Sequence, residues 1–235
     1  MLDQRLLTVK NLYDRCELAA DIGTDHGLLP AEILEEGVCQ RMILTDISPA
    51  ALSNSRKELS RRGLLDRADF RTGFGLDPII EKCGVISITG MGGRTIHDII
   101  VKGYSALAGA VLVLSAHSDL PLLRTAVQRA GYYPETEEVC FCAGRFYTVL
   151  RAVPGLWQPD GREIRLGGAI FHSASPVLLP YIDRQISILK ARHKGLLKSC
   201  FIDHASVAEA ASDIEYLEER KKEITARRKN RNESH

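Results

Sequence analysis

The chain has 235 residues, of which 45% are hydrophobic and 26% charged. That excludes fibrous and low-complexity classes and allows one sizeable domain, or a domain with an appendage. A formal net charge of +1 excludes binding of polyanions by global charge, so any nucleic-acid contact must come from a local patch.

Leu2, Leu6, Val9, Leu12 and Tyr13 recur at helical spacing, which predicts an amphipathic helix over residues 2–14. Glu17 to Ile22 reads as a first strand, and Pro30 falls early in the helix after it. Arg41 to Thr45 reads as a second strand and Pro49 to Arg61 as a helix. Ala68 to Arg71 is a short third strand, and Val85 to Thr89 an apolar fourth closed by Gly90-Met91-Gly92-Gly93. A helix over 94–102, a strand from Ala110 to Leu114 and a helix from Leu120 to Ala130 follow. Glu137 to Cys142 and Arg145 to Val153 flank Ala143-Gly144, a hairpin signal. Alternating strands and helices that end in an antiparallel pair predict an α/β, Rossmann-like, mostly parallel sheet with an antiparallel terminal strand.

The pattern changes after Pro154-Gly155, which puts a domain boundary between 1–155 and 156–235. Leu178, Ile182, Ile186 and Leu189 lie on one face of a helix opened by Ser175-Pro176, with Pro180 able to delay its start. Ser206-x-x-Glu209 has the form of a capping box. Val207, Ala210, Ile214, Leu217, Lys221 and Ile224 then step by three and four. Two such helices joined near Asp203 predict a coiled-coil-like antiparallel hairpin. The six cysteines (Cys16, Cys39, Cys83, Cys140, Cys142 and Cys200) form no CxxC pair and read as reduced thiols. Cys140 and Cys142 share one strand face and read as packing. No histidine has ligand spacing, so no metal is expected. The first residues lack a signal-peptide core and no apolar run reaches bilayer length, so a cytoplasmic chain without a membrane span is expected.

The stretch Ala20-Asp21-Ile22-Gly23-Thr24-Asp25-His26-Gly27 joins the first strand to its helix. A dinucleotide fingerprint would place a glycine where Asp25 stands, so that pyrophosphate meets bare N–H groups. A carboxylate there repels phosphate and attracts a cation. S-adenosylmethionine carries a sulfonium and an ammonium and no phosphate, and it is the cofactor this loop suits. Asp46, at the end of the second strand with Ile47 beside it, stands where an acid accepts bonds from ribose hydroxyls. It could equally serve only as a cap for the next helix. Asp21 can orient the loop or meet the ammonium through water. Gly73-Phe74-Gly75 lets backbone approach the adenine of the cofactor, with Phe74 available to stack. The cofactor residues expected are therefore Asp21, Gly23, Thr24, Asp25, Gly27, Asp46, Ile47, Gly73, Phe74, Gly75, Gly90 and Met91.

These residues, with Leu29-Pro30, Leu76 and Thr89-Gly90-Met91-Gly92-Gly93, resemble the bacterial tRNA (adenine-22, N1)-methyltransferases. The resemblance covers the chain and implies a class I methyltransferase domain followed by a helical hairpin. It also implies methyl transfer to N1 of a tRNA adenine. Three positions depart from the family pattern: Phe74 where an Asn is usual, Ala116-His117-Ser118 in place of a Gln-Pro-Asn-like run, and Thr148 in place of an acid after Tyr147. The fourth-strand loop lacks the Asn or Asp and aromatic groups that activate an exocyclic amine. N1 needs less help, because its in-plane lone pair is free in an unpaired base. Backbone at Gly92 and Gly93 could bind one base edge. Asp25, by resemblance and position, is the expected catalytic carboxylate, with His26 as its partner or a plain helix-start residue.

Arg184, Lys190, Arg192, His193, Lys194 and Lys198 form an acid-free run, and Arg220, Lys221, Lys222, Arg227, Arg228, Lys229 and Arg231 add a basic end. Beside a methyltransferase domain this reads as a tRNA-binding arm in which Arg184, Lys190, Arg192, Lys194 and Lys198 contact phosphates, although a solvated helix face has the same pattern. The exposed seam allows either a monomer or a homodimer. A methyltransferase acting on a small molecule or protein, and a cofactor-binding interaction protein, stay open at this point.

Overall fold

The computed structural model describes residues 2–199, 201 and 203–233, with side chains assigned through residue 230. Cys200 lies outside the described residues, as does the side chain of Arg231. The chain divides into two compact units, Met1–Ala169 and Ile170–His235. The composition change at 155/156 thus falls inside the first of them.

The first unit contains α1 (Gln4–Lys10), β1 (Cys16–Ile22), α2 (Leu28–Glu35), β2 (Cys39–Asp46), α3 (Pro49–Arg61), β3 (Ala68–Thr72) and β4 (Val85–Met91). It continues through α4 (Gly93–Lys102), α5 (Tyr104–Leu107), β5 (Val111–Ala116), α6 (Leu120–Arg129), β6 (Tyr132–Cys142), β7 (Arg145–Pro154) and α7 (Gly161–Leu166). Seven strands form one sheet in the order β3-β2-β1-β4-β5-β7-β6. The first five are parallel; β7 runs antiparallel between β5 and β6. This is the Rossmann-like sheet the strand–helix alternation predicts. Strand order reverses between β1 and β4, where open α/β sheets place their ligand crevice.

Apolar side chains cover both faces of the sheet, as parallel strands require. Ile22, Ile86, Ile88, Leu112 and Leu114 pack on one face with Ile96, Ile99 and Val127. Ala19, Val85, Val113 and Val149 pack on the other with Val9, Ile33 and Leu34. α1 is shorter than the 2–14 pattern. Asp3 caps it by accepting the Leu6 N–H at 2.8 Å, and its helical turns stop at Lys10. β6 begins at Tyr132, well before the expected Glu137. Pro134 obscured that start, yet β6 is an edge strand and a register shift at Pro134/Thr136 absorbs the missing N–H. α7 follows the change at Pro154-Gly155, and the Asp160 carboxylate caps it by accepting the Glu163 N–H at 2.7 Å.

One charged pair lies inside this unit. Arg124 on α6 and Glu137 on β6 are almost fully buried, with Arg124 Nε 2.7 Å and Nη2 3.2 Å from the two carboxylate oxygens. Arg124 also donates to the carbonyls of Ile164 and Arg165, so one buried guanidinium ties α6, β6 and α7.

The second unit is a hairpin of α8 (Leu178–Leu196) and α9 (His204–Glu233). Leu178, Ile182, Ile186 and Leu189 are buried along α8 as their spacing predicts. The start of α9 differs from the capping-box expectation at Ser206. Asp203 accepts the N–H groups of Ala205 and Ser206 and the Ser206 hydroxyl, so the cap lies three residues earlier. The buried line on α9 runs through Ala210, Asp213, Leu217 and Ile224; Asp213 takes the place expected for Ile214. Among the described residues no helix is long and apolar enough to cross a membrane.

Candidate active site at the carboxyl ends of the strands

The loop after β1 is held from both sides. Gly23 and Thr24 donate their N–H groups to the Thr45 carbonyl of β2 at 2.8 and 3.1 Å. Gly23 adopts φ +75°, and a Cβ on it would collide with the Met91 methyl. The missing side chain therefore lets the end of β4 pack over the β1 loop. Met91 packs against the core as well. Gly27, at φ +67°, precedes α2 and leaves room for the Ser55 backbone of α3.

Asp25 has φ +48°, a left-handed conformation that costs energy for a residue with a side chain. Its peptide is pinned twice. Its N–H faces an Asp46 oxygen at 3.4 Å, and its carbonyl accepts the Ser55 hydroxyl at 2.7 Å. The carboxylate itself is 68% exposed and lies 3.5 Å from His26 Nε2, whose side chain is 66% exposed. The loop thus presents an acid and an imidazole outward from a fixed backbone.

Asp46 accepts the Ser48 N–H at 2.8 Å, while Ser48 itself caps α3. The acid therefore braces the turn and the β1 loop, and is not the helix cap. Ile47 beside it is 69% exposed, an apolar side chain left in the open at the crevice. Gly73 donates to the Asp46 carbonyl at 3.1 Å, which brings the third-strand glycines to the same edge. Phe74 is partly exposed, with the Lys102 ammonium 5.1 Å from its ring centre. Gly90 is at φ +79°, inside a register shift between β4 and β5, and its Cβ position is open. Gly92 precedes α4. Gly93 is buried, and its N–H donates to the Ser118 carbonyl at 2.9 Å. Of the two backbone groups expected to meet a base edge, that of Gly93 is already engaged.

Asp21 differs from the other two acids in being buried, at 4% exposure. Tyr13 Oη donates to Ser87 Oγ at 2.5 Å, and Ser87 Oγ donates to Asp21 Oδ1 at 2.5 Å. Burial raises the Asp21 carboxyl above the usual carboxylate range, against the bond from Ser87. The nearby charge of Asp46 pushes the same way and that of Arg5 opposes it. Burial, with the Asp21 charge, also raises the Tyr13 phenol well above its ordinary value. Sequence reasoning missed Tyr13, Ser87, Ser55 and Arg5. A serine inside the apolar run of β4 was the one available signal.

Asp25 and Asp46 thus stand together at the turn where β1 and β2 end, with Asp21 buried at the end of β1. That set of carboxylates repels a pyrophosphate and accommodates a ligand carrying positive charge and hydroxyls.

On the second unit, Lys190 pairs with Glu218 at 2.7 Å, Arg192 with Glu209 at 3.8 Å and Lys221 with Asp183 at 2.5 Å. Arg184, Lys194 and Lys198 are exposed. Arg227 and Arg228 donate to the carbonyls of Phe171 and Ser175, so part of the basic end closes the hairpin.

Residues 2–150 match the methyltransferase domain family. A Bacillus subtilis (strain 168) protein described as a tRNA (adenine(22)-N(1))-methyltransferase is 28% identical over 156 residues, a match covering 66% of each chain. Among solved structures, Bacillus subtilis TrmK, an m1A22 tRNA methyltransferase, superimposes with a TM-score of 0.82 at 23% identity. That match covers 94% of this chain and 99% of that one. M. capricolum TrmK in complex with S-adenosyl-homocysteine gives a TM-score of 0.79 at 21% identity, covering 95% and 99%. The chain belongs to the methyltransferase domain family.

Proposed function

We propose that the protein transfers a methyl group from S-adenosylmethionine to N1 of adenine 22 in tRNA, the activity named for its Bacillus subtilis relative. One observation carries the reading. An acid stands in left-handed backbone at the cofactor turn, its peptide fixed by Ser55 and Asp46 and its carboxylate turned outward. A generic nucleotide-binding turn has no use for that arrangement. The named relative supports the acceptor.

S-adenosylmethionine supplies an electrophilic methyl on a positively charged sulfur. Asp46 offers oxygens to the ribose hydroxyls, Ile47 an apolar face to the adenine, and Asp21 a carboxylate to the ammonium. Gly23, Thr24, Gly27, Gly73, Gly75 and Gly90 let backbone come close to the cofactor. Phe74 gives it an aromatic edge, and Met91 closes the β4 side. In the transfer the N1 lone pair would form the new bond to carbon while the electrons of the broken sulfur–carbon bond stay on sulfur, and the ring would take the positive charge. Asp25 faces this new charge and stabilises it, with His26 orienting the carboxylate. Gly92 approaches one base edge. N1 lies on the Watson–Crick edge, so the acceptor must be unpaired or extruded. Arg184, Lys194 and Lys198 provide phosphate contacts on the hairpin, joined by Lys190 and Arg192 when their acids release them. The reading places the enzyme in the cytoplasm, with tRNA.

Incubation with labelled S-adenosylmethionine and total tRNA, followed by nucleoside analysis, tests this. N1-methyladenosine is the expected product. A methyl on another atom overturns the acceptor assignment. Transfer to a small molecule or protein alone overturns the tRNA reading.

A further inference from the structure

One cation near the crevice has no role in the methyl transfer proposed above. Arg5 lies on α1, two residues after the Asp3 cap. Its Nη1 is 4.0 Å from the Cβ position of Gly90, with nothing else as near to that point. Its guanidinium carbon is 5.7 Å from the centre of the Tyr147 ring, within cation–π range. The Tyr147 ring meets His117 edge-on, with centroids 5.7 Å apart and planes at 72°. The His117 N–H donates to the Met91 carbonyl at 2.9 Å. Arg5, Tyr147 and His117 therefore gather where β4 and β5 end and β7 begins, beside the glycine turn that faces the cofactor loop.

Arg5 and Tyr147 are partly exposed, and among the described residues no carboxylate lies at ion-pairing distance from Arg5. Asp21 feels its charge only at longer range. A guanidinium held beside an aromatic ring but lacking an acid partner suits a ligand that brings its own anion. A nucleotide offers a phosphate and a flat base within the span of one sugar.

We propose that Arg5 and Tyr147 form a clamp for the extruded target nucleotide, Arg5 binding its phosphate and Tyr147 stacking on its base. This rests on the tRNA reading above and adds the residues that hold the acceptor. A phosphate contact also places the Arg5 charge on the backbone side of the nucleotide, away from the ring that becomes cationic.

The test is tRNA affinity across a salt series for wild type, Arg5→Ala, Arg5→Lys, Tyr147→Ala and Tyr147→Phe, with thermal melts as a folding check. Removing one phosphate-binding charge in Arg5→Ala flattens the slope of log affinity against log salt by about 0.7 to 0.9. Arg5→Lys keeps the charge and so keeps the slope. Tyr147→Ala weakens tRNA binding by roughly ten- to hundredfold, and Tyr147→Phe retains more of it because the ring remains. An unchanged slope in folded Arg5→Ala overturns the clamp, as does loss of S-adenosylmethionine affinity with an unchanged tRNA slope. If Arg5→Ala does not fold, Arg5→Gln makes the same measurement. Failure of the tRNA reading shows separately, as a wild-type protein that neither binds nor methylates tRNA.

Discussion

The two units use charge in opposite ways. In the first, several charged groups are buried or pinned: Arg124 and Glu137 are sealed in the core, Asp21 is buried behind Ser87 and Tyr13, and Asp46 accepts two backbone N–H groups. In the second, Asp213 is buried, but most charges are exposed and several pair across the two helices, as Lys190 does with Glu218 and Lys221 with Asp183. Burial makes a charge expensive to remove and fixes its geometry, while exposure makes it nearly neutral for stability and leaves it available to a partner. The first kind builds a site; the second kind suits a surface that meets phosphates.

The largest expected effect breaks the buried pair. Glu137→Ala leaves the Arg124 guanidinium without its counter-charge and costs about 3–5 kcal/mol in chemical denaturation. Recovery of stability in an Arg124→Met/Glu137→Leu double variant would show that the pair serves packing and not catalysis.

Asp25→Asn isolates the exposed acid of the same unit. Asparagine tolerates the left-handed backbone at φ +48°, so the melting temperature is retained while kcat falls roughly a hundredfold. Turnover at the wild-type rate would remove Asp25 from the chemistry.

Asp21→Asn sharpens the difference between buried and exposed acids. The carboxyl is raised in the folded protein, so the native state binds more protons than the unfolded chain. Its contribution to stability is therefore present at low pH and is lost as pH rises toward its folded value. Above that value burial of the charge costs stability, which the neutral amide relieves. Asp21→Asn should melt higher than wild type at the alkaline end of the range, lose that advantage as pH falls, and bind S-adenosylmethionine roughly tenfold more weakly. A lower melting temperature across the whole range would contradict the burial argument.

The smallest effect on stability belongs to the hairpin. Replacing Arg184, Lys194 and Lys198 together by alanine should leave the melt nearly unchanged. The salt dependence of tRNA binding should flatten by about 0.9 for every phosphate that these side chains neutralise in the wild type. Wild-type salt dependence in that variant would leave the exposed charge as a solvated face.

What could be read in advance followed the same division. The β1 loop, Asp46 and the terminal strand pair announce themselves locally, because a glycine turn, an acid closing a strand and a tight hairpin are short-range features. Groups that meet across the fold did not. Tyr13, Ser87 and Asp21 are joined only once α1 covers the sheet, and Arg5 reaches Gly90 and Tyr147 only when β4 and β7 flank β5. An acid in a helical seam goes against the hydrophobic pattern, so the burial of Asp213 leaves no local signal, and Glu137 signals only the start of a strand. Pro134 hid the first half of β6, since a proline argues against a strand unless its edge position is known.

The central claim is that the carboxylate-lined crevice delivers a methyl group to a ring nitrogen of one tRNA base. The most direct measurement compares methyl transfer to two otherwise identical transcripts, one with adenine at position 22, the site named for the Bacillus subtilis relative, and one with 1-deazaadenine there. The account predicts one methyl per transcript for the first and none for the second, because the accepting lone pair is gone. Equal transfer to both would contradict it.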